Sequence, residues 1–156
     1  MTGLSKGFIS QVERDMTAAS VASLVKLCEA VQITVGSLFQ PSQTMLITAA
    51  DAPQINFGGV GLTETIMTPR DSSDVQLIWS DIAPGGGSGP ELYSLDAKAE
   101  VAYVIEGSVV VTIEEEAYAL RAGDALTFSP RQDHSFHNPS SHDRAVVLWA
   151  LAPSPW

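Results

Sequence analysis

Gly87-x5-Tyr93-x-Leu95-x4-Glu100-x6-Gly107, then after a gap Gly123-x10-His134-x3-Asn138, is the stretch that decides how this chain folds. Residues 100–105 and 108–113 are rich in β-branched side chains, and Glu106-Gly107 between them is a hairpin signal. A second pair of short runs, 125–128 and 134–138, follows Gly123-Asp124 in the same style. The spacing predicts two hairpin modules whose inward faces meet around one pocket.

Outward from this centre the period stays at two. Weak alternation marks 64–68, and a long strand is expected over 75–82. It should end at Pro84-Gly-Gly-Gly-Ser-Gly-Pro90, which reads as an emphatic loop. That loop opens no helix, as a phosphate cradle requires, so a nucleotide-binding reading is rejected. Glu114-Glu115-Glu116 reads as an exposed turn, and runs at 118–120 and 144–151 follow. Met45-Leu46-Ile47-Thr48 is a candidate short strand further upstream. About nine short strands at this spacing predict a sandwich or barrel.

The first forty residues change period. Ser5 and Ser20 are N-cap candidates for two helices. Phe8, Ile9 and Val12 form a stripe on the first, which Asp15 and its neighbours end. Val21, Leu24, Val25, Leu27, Cys28 and Val31 form the buried side of the second. A third short helix is expected over 34–39, stopped by Pro41. Three such helices bury little by themselves. The expected division is therefore helices over 1–40, a linker over 41–60 and an all-β domain over 61–153, an α+β chain in two parts.

Composition sets bounds on function. The chain has 156 residues, 45% hydrophobic content and a net charge of −10. Lys6, Arg14 and Lys26 balance Glu13, Asp15 and Glu29 in the first forty residues, so the excess negative charge lies beyond them. An acidic body repels nucleic acid, because phosphate binding depends on Lys and Arg displacing counterions. Any DNA contact is thus expected from the balanced N-terminal part. One cysteine, Cys28, excludes an internal disulfide. No apolar run is long enough to cross a membrane as a helix, and Met1 does not begin a signal peptide. A cytoplasmic protein without membrane partners is expected.

Gly3-Leu4-Ser5, Ile9-x-x-Val12-Glu13 and Val35-x-x-Leu38-Phe39 fall in register with the XRE-type, lambda-repressor-like helix-turn-helix domain, which the N-terminal part resembles from the turn onward. The resemblance implies a recognition helix over about 5–14. Lys6, Gly7, Ser10 and Gln11 would face base edges, and Arg14 would reach phosphate. The family has two helices ahead of that turn, and this chain begins at the turn. The expectation is a native reading frame that continues upstream of Met1; the alternative is a truncated form in which these positions are solvated helix.

Gly87, Glu100, Gly107, Gly123, Asp124, His134 and Asn138 similarly match the two motifs of the cupin superfamily, a double-stranded β-helix or jelly-roll barrel. Carried over by position, the family's four metal-ligand places are Tyr93, Leu95, Glu100 and His134. Leu cannot ligate, and a Tyr phenol gives up its proton only near pH 10. No tight divalent metal is expected; if any binds, Glu100 and His134 would hold it. The second motif departs too: Ser129 stands where Pro is usual, Pro130 comes one place late, and Arg131 replaces a Gly.

A ligand pocket remains. If Glu100 and His134 face inward, period two sends Ala102, Val104, Phe136 and Asn138 inward, opposite Tyr93 and Leu95. Glu100 and His134 pairing with each other is an equal alternative. Arg131, His137 and His142 read as surface residues, and Trp79, Trp149 and Trp156 as packing or dimer contacts. The order helix-turn-helix then cupin implies a bacterial transcriptional regulator: a homodimer that reads a DNA operator and senses a small-molecule effector, without a cofactor. The competing readings are a metal-dependent cupin enzyme, an oxygenase or isomerase, and a ligand-binding or dimerisation module that no longer binds DNA.

Overall fold

A computed structural model describes residues 3–14, 16–39, 44–69 and 74–155. Expectations placed on Met1, Asp15, Pro41 and Trp156 fall outside these. The chain forms two compact units, Met1–Thr44 and Met45–Trp156.

In the first unit, α1 spans Lys6–Glu13 and α2 spans Val21–Ala30. The Ser5 hydroxyl accepts from the Phe8 N–H at 3.2 Å, and the Ser20 hydroxyl accepts from the Ser23 N–H at 3.2 Å. Each satisfies an N–H that the helix itself leaves bare. A 3-10 helix covers Val35–Phe39. The apolar side expected on α2 is only partly buried. Cys28 is covered, but Val21 is 73% exposed and Val31 64% exposed. Two short helices do not supply enough surface to cover that stripe, and a complete helix-turn-helix is not evident among the described residues.

The second unit is mostly β, a nearly closed barrel. Its strands are β1 Gln54–Ile55, β2 Val60–Ile66, β3 Gln76–Gly87, β4 Ala99–Glu106, β5 Ser108–Ile113, β6 Glu116–Arg121, β7 Ala125–Phe128, β8 His134–His137 and β9 Ala145–Ala152. They join in the order β6-β5-β8-β3-β9-β4-β7, with β2 on β3 and β1 on β2. The alternation read in the sequence is the alternation of burial. Val109, Val111 and Ile113 of β5 turn inward, as do Glu100, Ala102 and Val104 of β4.

Two expectations fail here. Residues 45–48 form no strand, and Leu46 is exposed; pairing instead begins at β1, inside the segment assigned as linker. The glycine run does not end β3, which continues through it to Gly87. Gly87 pairs with Val60 on one side and His137 on the other. A Cβ there would collide with the Phe136 carbonyl, so the glycine lets backbones close up rather than turn. Gly107 does serve a turn, with φ of +73°.

Candidate functional site

The site is a cavity of about 490 Å³ in the second unit. Strands β2, β3, β4, β8 and β9 supply Glu64, Ile78, Glu100, Phe136 and Trp149 to its walls, and the segment after β3 supplies Tyr93 and Leu95. That segment is pinned to the barrel. Tyr93 and His134 exchange two backbone hydrogen bonds of 2.9 Å, and the Leu95 N–H donates to the Pro130 carbonyl at 2.8 Å.

Glu100 lines the cavity, while His134, expected there too, does not line it but lies beside Glu100; they are 3% and 0% exposed. His134 Nδ1 lies 2.8 Å from the Gln132 carbonyl. A carbonyl only accepts, so the proton sits on Nδ1 and leaves Nε2 bare. Nε2 lies 3.6 Å from Glu100 Oε2, and both atoms are buried without a hydrogen-bond partner among the described residues. Burial, reinforced by the charge of Glu64, pushes the Glu100 carboxyl up to about 8. Burial pushes His134 down, against the pull of the Gln132 carbonyl and Asp133. At neutral pH a protonated acid therefore stands beside a neutral imidazole. The rings of Tyr93 and Phe128 flank His134, at centroid distances of 4.2 and 5.0 Å.

Glu64 is a second buried carboxyl, and sequence reasoning missed it. The Ser80 hydroxyl donates to its Oε1 at 3.0 Å and accepts from the Trp149 indole N–H at 3.0 Å. Burial outweighs that hydrogen bond and raises the pKa of Glu64. Trp149, expected as a packing or dimer contact, both lines the cavity and closes this relay. The one available signal was the inward register of Glu64 on an alternating strand.

The remaining expected pocket residues separate. Tyr93, Leu95, Glu100 and Phe136 line the cavity. Ala102 and Val104 are fully buried in the hydrophobic core instead. Asn138 is spent on the backbone: its Nδ2 donates to the carbonyls of Ile82, Ala83 and Asp143, and its Oδ1 accepts from the Ser140 N–H. It ties β3 to the loop before β9. Arg131 pairs with Asp96 at 2.7 Å in the open. His137 and His142 are exposed. In the first unit, Lys6, Gly7, Gln11 and Arg14 are exposed on or beside α1, and the half-buried Ser10 accepts from Arg14 Nε through its carbonyl.

A divalent metal fits this donor set poorly. Glu100 and His134 are two donors, Leu95 supplies none, and burial with two neighbouring carboxylates raises the Tyr93 phenol away from the phenolate a metal would need. No cluster of three His, Cys, Asp or Glu side chains suited to a metal occurs among the described residues. No described helix is long and apolar enough to cross a membrane.

Residues 78–151 match the family model for the cupin domain. The HTH-type transcriptional regulator PuuR of Escherichia coli is 24% identical over 146 residues, covering 90% of this chain and 77% of that protein. A solved HTH_3 family transcriptional regulator from Vibrio cholerae superposes with a TM-score of 0.52 at 19% identity, over 97% of this chain and 82% of its own. A Streptomyces PAC13 variant solved with uridine superposes at 0.58 and 19% identity, over 71% and 83%. The same fold thus occurs in regulators and in an enzyme, since Pac13 is described as a nucleoside dehydratase.

Proposed function

We propose that this chain, whose second unit carries a cupin domain, is a transcriptional regulator in which that domain receives a small-molecule effector and joins two copies. One observation carries the reading: likeness to a helix-turn-helix regulator runs through 146 residues, well beyond the cupin domain into the first unit. The site supports it, because a cavity with apolar walls, few convergent polar groups and a depleted metal set suits binding more than Lewis-acid chemistry. The outer sheet face supports pairing. Trp79, Leu148 and Tyr103 lie abreast on β3, β9 and β4, with Ile105 beside them. Trp79, Tyr103 and Ile105 are exposed there.

Lys6, Gly7, Ser10 and Gln11 would meet base edges and Arg14 phosphate. The effector would act by binding one arrangement of two DNA-binding heads more tightly than another. Gel shifts with the whole gene product and DNA from upstream of its own and adjacent genes test this. Retardation at one such fragment, lost at higher salt, is the expected result. No retardation at any of them rejects the DNA-binding role. An enzyme reading, oxygenase or isomerase, draws on the facing Glu100 and His134 atoms beside Tyr93, which suit proton transfer.

A further inference from the structure

The ionisable side chains lining the cavity are all acids, Tyr93 aside. Glu64, Glu91 and Glu100 line it, and no Lys or Arg does so among the described residues. Glu100 Oε2 is buried there without a hydrogen-bond partner, and the fixed Glu64 carboxyl faces the same space. A buried carboxylate is stable only with a proton or a cation beside it. Around these acids stand aromatic rings. Phe136 and Trp149 are 4.6 Å apart between centroids at 42°, and Tyr93 lines the same cavity. Ring faces attract cations and repel anions.

We propose that the cavity selects a small organic cation, an ammonium group on a short apolar body, with the ammonium between Glu64 and Glu100 and the body against Tyr93, Phe136 and Trp149. This rests on reading the cavity as an effector pocket and names the chemical class it takes. A ligand anion finds no countercharge, since no Lys or Arg lines the cavity among the described residues. A neutral alcohol of the same shape finds apolar contact but leaves the acids holding their protons, whereas an ammonium group takes the proton's place beside them. A cavity of about 490 Å³ has room for both the head group and the body.

The test uses three isosteric probes, butylammonium, butanol and butyrate, titrated calorimetrically into the wild-type chain at fixed ionic strength. Butylammonium should bind at least about tenfold tighter than butanol, and butyrate should give no heat. Glu64→Gln should cost butylammonium about tenfold or more and leave butanol unchanged. The wild-type ranking decides the matter even if that variant does not fold. Equal or better binding of butanol or butyrate overturns the proposal but keeps an effector pocket. Silence from all three at 10 mM overturns the cation class outright, and the gel shift reads the regulator role independently of either result.

Discussion

Glu100 and His134 show how one buried pair sets the pH response of the whole fold. The Glu100 carboxyl titrates near 8 in the folded chain and near 4.5 when free. The folded state thus holds a proton the unfolded state has lost, and stability falls as pH rises between those values. His134 runs the other way: its pKa is lowered on folding, so its contribution is present above the free value of 6.5 and is lost as pH falls through the folded value. The two slopes oppose each other below 6.5, and from 6.5 to 8 the loss from Glu100 is no longer offset by His134. Glu100→Gln keeps a donor toward His134 Nε2 and cannot ionise. It should abolish a decline of about 2 kcal/mol across that window, about 4–8 °C in melting temperature. Thermal melts at half-unit pH steps check this, and parallel wild-type and variant curves would reject the assignment. Glu100 and His134 were legible as inward residues from their motif spacing. Glu64 was not, because a single acid on a weakly alternating strand gives no local sign of the Ser80 and Trp149 partners that bury it.

Strands were legible wherever burial follows period two, since one face of each meets the core. Residues 108–113 and 100–105 are the clear cases. The glycine run was misread because Gly signals both a turn and a close approach, and only tertiary contacts separate them. Three backbones meet at Gly87, which lies between β2 and β8. Gly87→Ala should therefore force β3 and β8 apart at the Phe136 carbonyl and destabilise the chain by about 1–3 kcal/mol. Gly7→Ala on α1 meets open space and should stabilise the helix slightly, by about 0.5–1 kcal/mol. Urea melts of both give the comparison, and a neutral Gly87→Ala would mean that β8 can shift to accept a methyl group. The expected strand at 45–48 failed for a related reason. Three apolar residues and a β-branched Thr suggest a strand, but without a neighbour to pair with, Leu46 stays in solvent.

At the scale of the molecule, charge and chemistry are divided between two units. The first forty residues are balanced and the remainder carries the excess behind the net −10. The proposed DNA contact therefore falls to the first unit, which holds α1 and its exposed Lys6, Gln11 and Arg14. The second unit is a nearly closed β-barrel whose residues 78–151 match the cupin family model, and Tyr93, Leu95 and Glu100 line its cavity among apolar walls. The central claim is that this cavity binds a small molecule through its own side chains, without a resident divalent metal. Elemental analysis of chain purified without chelators tests that claim most directly. The account predicts far less than one equivalent of iron, manganese, nickel or zinc per chain, and close to one equivalent of any of them would contradict it.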